Sequence, residues 1–156
     1  MNRKSRERLH RAKRKDTGEM VKGYYIHYRE DVHQIYRMER GKRRGDTYSL
    51  FIDVDPDTVG EYTGCDIKVN GKDKEPIFEG DILKVTCPEF KENRPVEHYT
   101  VEFGRGMFLA RRVCDGKVVG PVASLASTVN SDGSQSSCVI VGNIHDDKKL
   151  LEKLRP

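Results

Sequence analysis

The chain has 156 residues, 35% of them apolar and 35% charged, against about 45–50% apolar (with Gly counted) and about a quarter charged in an ordinary globular chain. That length suits one domain with a modest core and a heavily solvated surface, and no apolar run approaches the roughly 18 residues of a membrane span. Net charge is +4, but residues 1–15 hold eight Lys/Arg and one Glu, a balance of +7, which leaves 21 basic against 24 acidic residues, −3, for the rest.

Residues 1–7 read as a basic flexible arm, and residues 8–156 as a single β domain. No apolar stretch follows the basic start, so the chain is expected in the cytoplasm rather than secreted. Arg3, Lys4, Arg6, Arg8, Arg11, Lys13, Arg14 and Lys15 have the charge to neutralise phosphates and release counterions. A second cluster, Lys42, Arg43 and Arg44, lies in a Gly-containing turn. The competing reading is a solvated arm that keeps the protein soluble, since no aromatic residue interleaves the first run to stack bases.

Period-two signals dominate from there on. Arg8–Arg14 is a candidate strand despite its charge, and Lys15-Asp16-Thr17-Gly18-Glu19 is a turn. In Met20–Tyr28, Tyr24, Ile26 and Tyr28 fall on one face and Tyr25 and His27 on the other. Val32–Met38 is a third candidate strand, with a helical turn as the alternative, and Thr47–Val54 is a fourth, ended by Asp55-Pro56-Asp57. Gly60, Gly64, Gly71 and Pro76 punctuate the middle, with Asn70-Gly71 as a tight-turn pair. Ile82–Thr86 is a clear strand, and Pro88–Pro95 a loop. Glu97–Phe103 and Met107–Val113 form a hairpin about Gly104-Arg105-Gly106. Lys117–Val122 is a further short strand after Asp115-Gly116. Ser124–Ser137 has six serines in fourteen residues and reads as a flexible or insertion loop. Cys138–Val141 is a buried-type strand. Asp146 is a candidate N-cap for a helix over Asp146–Lys153, with Leu150, Leu151 and Leu154 as its apolar stripe. Short strands with frequent turn signals argue an all-β barrel or sandwich.

The cysteines at 65, 87, 114 and 138 are 22, 27 and 24 residues apart. None forms the close pair that presents two thiolates to one metal, and the five histidines add no H-x₃₋₅-H pair. Neither a metal nor another cofactor is expected.

Three stretches resemble the YopX family of phage and prophage proteins. Arg8–Tyr28 is similar to that family's opening hairpin, with Arg11-Ala12 before a short turn and a Met-containing strand. Val59–Val85 carries Gly60-Glu61-Tyr62-Thr63-Gly64, Asn70-Gly71 and Ile77-Phe78-Glu79-Gly80-Asp81-Ile82-Leu83, which resemble the family's core. Val139–Leu151, with Val141-Gly142-Asn143-Ile144-His145, resembles its close. The resemblance implies an SH3-like β-barrel with an N-terminal β-hairpin extension and a short C-terminal helix. The strands would divide as 8–54 for the N-terminal part, 55–145 for the barrel core and 146–154 for the closing helix. It implies no catalytic or binding residue.

The recurrent residues Tyr62, Thr63, Gly64, Glu79, Gly80, Asp81, Gly142 and Asn143 read as structural. Gly80 allows a backbone conformation costly for other residues, and the flanking carboxylates can accept loop amides. The favoured function is a non-enzymatic β-barrel binding or assembly module of a phage or prophage. Direct nucleic-acid binding through the basic residues is the alternative, and a hydrolase using Glu79 and Asp81 the remote one. The expected partners are a second copy of the chain, joined along the outer edge of the Val96–Val113 hairpin, and a phage or host protein. No membrane partner is expected.

Overall fold

Along residues 20–25, buried Val21 alternates with exposed Lys22 and Tyr24, the period-two pattern of a sheet with one covered face. This is the computed structural model of the chain, and it describes residues 8–69, 73–86, 96–114, 117–125 and 137–153. It divides into two compact units, Met1–Tyr62 and Thr63–Pro156.

The first unit is an antiparallel meander of β1 (His10–Lys13), β2 (Met20–Arg29), β3 (Val32–Arg40) and β4 (Thr47–Asp53), in the order β4-β3-β2-β1. Its inner face buries Ala12, Val21, Ile35, Ile52 and Val54, with Tyr25, Leu50 and Val59 packed against them. After β4, Asp55 caps the single turn Pro56–Thr58, its side chain accepting the Asp57 N–H at 3.1 Å. The Thr58 hydroxyl accepts the Lys13 N–H at 2.9 Å and donates to the Asp55 carbonyl at 2.8 Å. That hydroxyl satisfies a main-chain donor of β1 which would otherwise be left unmet.

β5 (Gly60–Val69) begins in the first unit, where Gly60 and Glu61 pair with Arg11 and His10. Its later length neighbours β6 (Asp73–Phe78), the last strand of that sheet. Pro76 has no N–H to give, which an edge strand tolerates. The second unit also holds a five-stranded antiparallel sheet of β7 (Asp81–Thr86), β8 (Glu97–Gly104), β9 (Met107–Cys114), β10 (Lys117–Ser124) and β11 (Ser137–Asn143), in the order β10-β9-β8-β7-β11. Ile67, Ile77, Leu83, Val101, Ala110 and Leu125 form its main core, with Tyr99, Phe108, Cys138 and Ile140 against them. Burial there pushes the Cys138 thiol up to about 11. Ile82 and Val113 form a smaller cluster with Ile144 and with Leu150 of the short helix α1 (Lys148–Lys153).

Several expectations need correction. The described strands form two open antiparallel sheets and no closed barrel. Among the described strands, the edge strands are β4 and β6 in one sheet and β10 and β11 in the other. The hairpin over residues 97–114 therefore has no outer edge, because β7 flanks β8 and β10 flanks β9. The glycine-punctuated middle is largely strand, as β5 and β6. Asp146 does not begin the helix: it lies in a turn, where the Asp146 and Asp147 N–H groups donate to the Asn143 carbonyl at 3.1 and 2.8 Å. The arm 1–7, Asn70-Gly71, Pro88–Pro95, Asp115-Gly116, most of the serine segment and Leu154 lie outside the described residues. No helix among the described residues is long and apolar enough to cross a membrane.

Candidate functional site

The recurrent residues of the second unit meet at the turn between β6 and β7. Gly80 has φ +84°, a left-handed conformation that a Cβ would strain. Its N–H donates to the Val101 carbonyl at 2.8 Å, and its carbonyl accepts the Ile144 N–H at 2.9 Å. Asp81 is fully buried and accepts the Phe78 N–H at 2.8 Å and the Asn143 side-chain amide at 3.4 Å. The Asn143 side-chain oxygen in turn accepts the His145 N–H at 2.9 Å, and Asp147 accepts the Asn143 N–H at 3.0 Å. Glu79 accepts the Phe103 N–H at 3.1 Å.

Glu79 and Asp81 thus each hold a main-chain amide, an arrangement that joins β7, β8 and β11 at one turn. Thr63 belongs to the same kind of framework: its buried hydroxyl donates to the Ile77 carbonyl at 2.9 Å and accepts the Cys65 N–H at 3.1 Å. Gly64 has φ +79°, and the Tyr62 N–H donates to the Leu9 carbonyl at 2.8 Å. Gly142 is the residue of β11 that pairs with Ile82 just past a register shift.

The basic residues are distributed differently. Arg3, Lys4 and Arg6 lie outside the described residues. Arg8 and Lys15 are exposed, and Arg14 pairs with Asp16 at 2.6 Å. The hydrogen bond from Arg14 holds the Asp16 carboxyl below its usual value. Lys42, Arg43 and Arg44 are exposed in the β3–β4 connection. Arg11 sits opposite Lys22, and Lys13 opposite Met20. Strand alternation therefore puts Arg11 and Lys13 on the outer face of the first sheet, away from Ala12 and Val21.

That outer face also carries an aromatic row that the sequence reading did not identify as a site. Tyr24 pairs with Tyr36, and Tyr36 with Phe51, so three rings lie side by side across β2, β3 and β4. Their centroids are 6.5 and 5.2 Å apart, with the planes tilted by 38° and 45°. Tyr24 is 45% exposed, Phe51 58% and neighbouring Met38 62%. The inner face has a different chemistry. His33 Nε2 lies 3.1 Å from the Glu30 carbonyl, which can only accept, so Nδ1 accepts the Tyr25 hydroxyl. His27 stacks on His33 at 4.4 Å, and burial raises the Tyr25 phenol above its ordinary value. Among the described residues, no group of three or more His, Cys, Asp or Glu side chains could hold a metal ion.

The fold and these residues define an antiparallel β protein with a hydrogen-bonded turn framework in one unit and an exposed aromatic face in the other. The family model for YopX protein matches residues 9–152, nearly the whole chain. The chain belongs to the YopX family, and it is a phage-type protein. No curated protein and no solved structure matches it.

Proposed function

We propose that this chain is a non-enzymatic binding or assembly module of a phage or prophage, acting in the host cytoplasm, and that it docks its partner on the outer face of β1–β4. The observation that carries this reading is the row Tyr24–Tyr36–Phe51. It leaves Tyr24 and Phe51 exposed to water with half-buried Tyr36 between them, while the smaller Val21, Ile35 and Ile52 fill the covered side. Exposed rings clustered beside polar neighbours are the usual composition of a docking surface. Glu79 and Asp81, the acid pair weighed for hydrolysis, each accept a main-chain N–H.

The test is affinity capture from prophage-induced cells, with and without nuclease, using the native chain, Phe51→Ser and Phe103→Ser. Phe103 is 54% exposed in the second unit and serves as the control. A component retained by the native chain and Phe103→Ser but lost from Phe51→Ser is the expected result. Equal recovery on all three refutes the docking face.

Self-association is a second reading, favoured by open strand edges at β4, β10 and β11. β4 carries Tyr48 and Phe51 and has no proline to block an added strand.

A further inference from the structure

We propose that the occupant of the outer face of β1–β4 is a single-stranded polynucleotide, whose bases lie on the aromatic row and whose phosphates meet the cations around it. The inference rests on the docking face proposed above and names its ligand.

Charge selects this ligand. Strand alternation and the register of the sheet put Arg11 and Lys13 of β1, Lys22 of β2 and Arg40 of β3 on the same face as the rings. The acidic residue that shares the face is Asp53, opposite Gln34, whose side-chain amide it accepts at 2.8 Å. Among the described residues the face thus holds two arginines, two lysines and one aspartate, a basic composition that suits a polyanion. Two of those cations are lysines, a residue type depleted from the centres of protein–protein interfaces. β3 and β4 are joined through Lys42-Arg43-Arg44, which extends the positive charge beyond the end of the strands.

The rings select the single-stranded form. A base can stack only when its face is free, and sheet-borne aromatics that take two or three bases are a recurrent solution for single strands. Tyr24, Tyr36 and Phe51 offer three such rings on adjacent strands, 6.5 and 5.2 Å apart. A duplex keeps its base faces stacked inside and would use the cations alone. The basic run at the N-terminus lacks aromatics, but the fold carries its continuation, Arg11 and Lys13, into the strand beside β2 and its Tyr24.

Fluorescence anisotropy with a labelled 15-nucleotide single strand, as DNA and as RNA, and a duplex of equal length tests this, over 50–500 mM NaCl. Either single strand should bind more tightly than the duplex. Phe51→Ser and Tyr36→Ser should weaken single-strand binding between about fivefold and a hundredfold, with duplex binding and the salt slope unchanged. Lys22→Ala should reduce the slope of log affinity against log salt by about 0.7, the value for one phosphate contact on a single strand. Circular dichroism melting keeps these effects apart from unfolding, and Met38→Ser, at a side chain with little to lose in packing, is the second variant. Equal binding of duplex and single strand, native affinity in Phe51→Ser, or no binding at 50 mM NaCl each overturns the polynucleotide. Loss of a nuclease-resistant protein from Phe51→Ser in the capture experiment would then leave the docking face standing with a protein on it. Equal capture by both chains removes the face as well.

Discussion

Replacing Gly80 by Ala should destabilise the second unit more than the same change at Gly106, although both glycines have positive φ, +84° and +79°. An Ala in the left-handed region costs about 1–2 kcal/mol at either site. At Gly106 that is the whole effect, because nothing lies within 4 Å of the added Cβ. At Gly80 the new methyl would lie 3.1 Å from Nδ2 of Asn143, and 3.4 Å from His145 Nε2 and Ile144 Cγ1. The Asn143 amide must retreat, and its bond to Asp81 is already 3.4 Å long. Weakening a donor to a fully buried carboxylate adds about 1–2 kcal/mol. Gly80→Ala should therefore cost about 2–4 kcal/mol and Gly106→Ala about 1–2 kcal/mol. Urea denaturation measures both, and since the two residues lie in the same unit they report on the same transition. A lower midpoint at constant slope is the signature of lost stability alone. If Gly106→Ala costs as much as Gly80→Ala, the turn framework around Asn143 contributes nothing beyond backbone conformation, and the reasoning fails.

Asn143→Ala should cost about 2 kcal/mol, because it strips a donor from Asp81 and an acceptor from the His145 N–H; an unchanged denaturation midpoint would show both groups satisfied another way. Burial, and then the charge of Lys84, lower the His98 pKa below 6.5. The unfolded chain therefore binds this proton more readily, so stability is full above about pH 6.5 and falls as the pH drops below it; His98→Gln should flatten that part of the stability profile, and an identical profile refutes the assignment. With its thiol pushed up to about 11, Cys138 should resist alkylation at pH 8 in the folded chain and react on unfolding in urea, which peptide mass spectrometry reads directly; equal rates in both states would place the thiol in water. If copies associate through strand edges, light scattering should give a dimer or larger species from low salt to about 0.5 M, because main-chain and apolar contacts are little screened; a monomer throughout rules the association out.

The parts of the fold that depend on local pattern were legible in the sequence. Alternation in Met20–Tyr28 and Thr47–Val54 places β2 and β4 within a residue or so. The turn beside β1 marks that strand despite its charge. β5 is obscured because Gly60 and Gly64 dilute its pattern, although buried Thr63 and Ile67 and half-buried Cys65 alternate in the usual way. Whether the strands close into a barrel is not legible at all. It depends on which strand edges meet, and no single strand's pattern encodes its distant neighbour. The resemblance points to the residues around Gly80, where Glu79 and Asp81 each accept a main-chain N–H and Asn143 donates to Asp81. The aromatic face was hidden for a different reason. Periodicity reveals that Tyr24 and Ile26 share a side, but not which side is covered. The habit of placing large rings inside would have pointed the wrong way, since here Val21 and Ile35 are the buried ones.

The return of β11 to β7 has a consequence for synthesis. Asn143 bonds to Asp81 across 62 positions of chain, and β7 acquires its second neighbour only when residues 137–143 have been made. The β1–β4 meander has all its partners in sequence order and can assemble as it leaves the ribosome. β7, by contrast, must wait with one edge unpaired while some fifty further residues are translated, about 3–10 s at about 5–20 residues per second. During that interval its Ile82, Leu83 and Val85 form a sticky apolar strand with free main-chain groups. A transcript cut short before β11 would leave that strand permanently open, so truncated products should aggregate or be degraded while chains terminated after Asn143 accumulate.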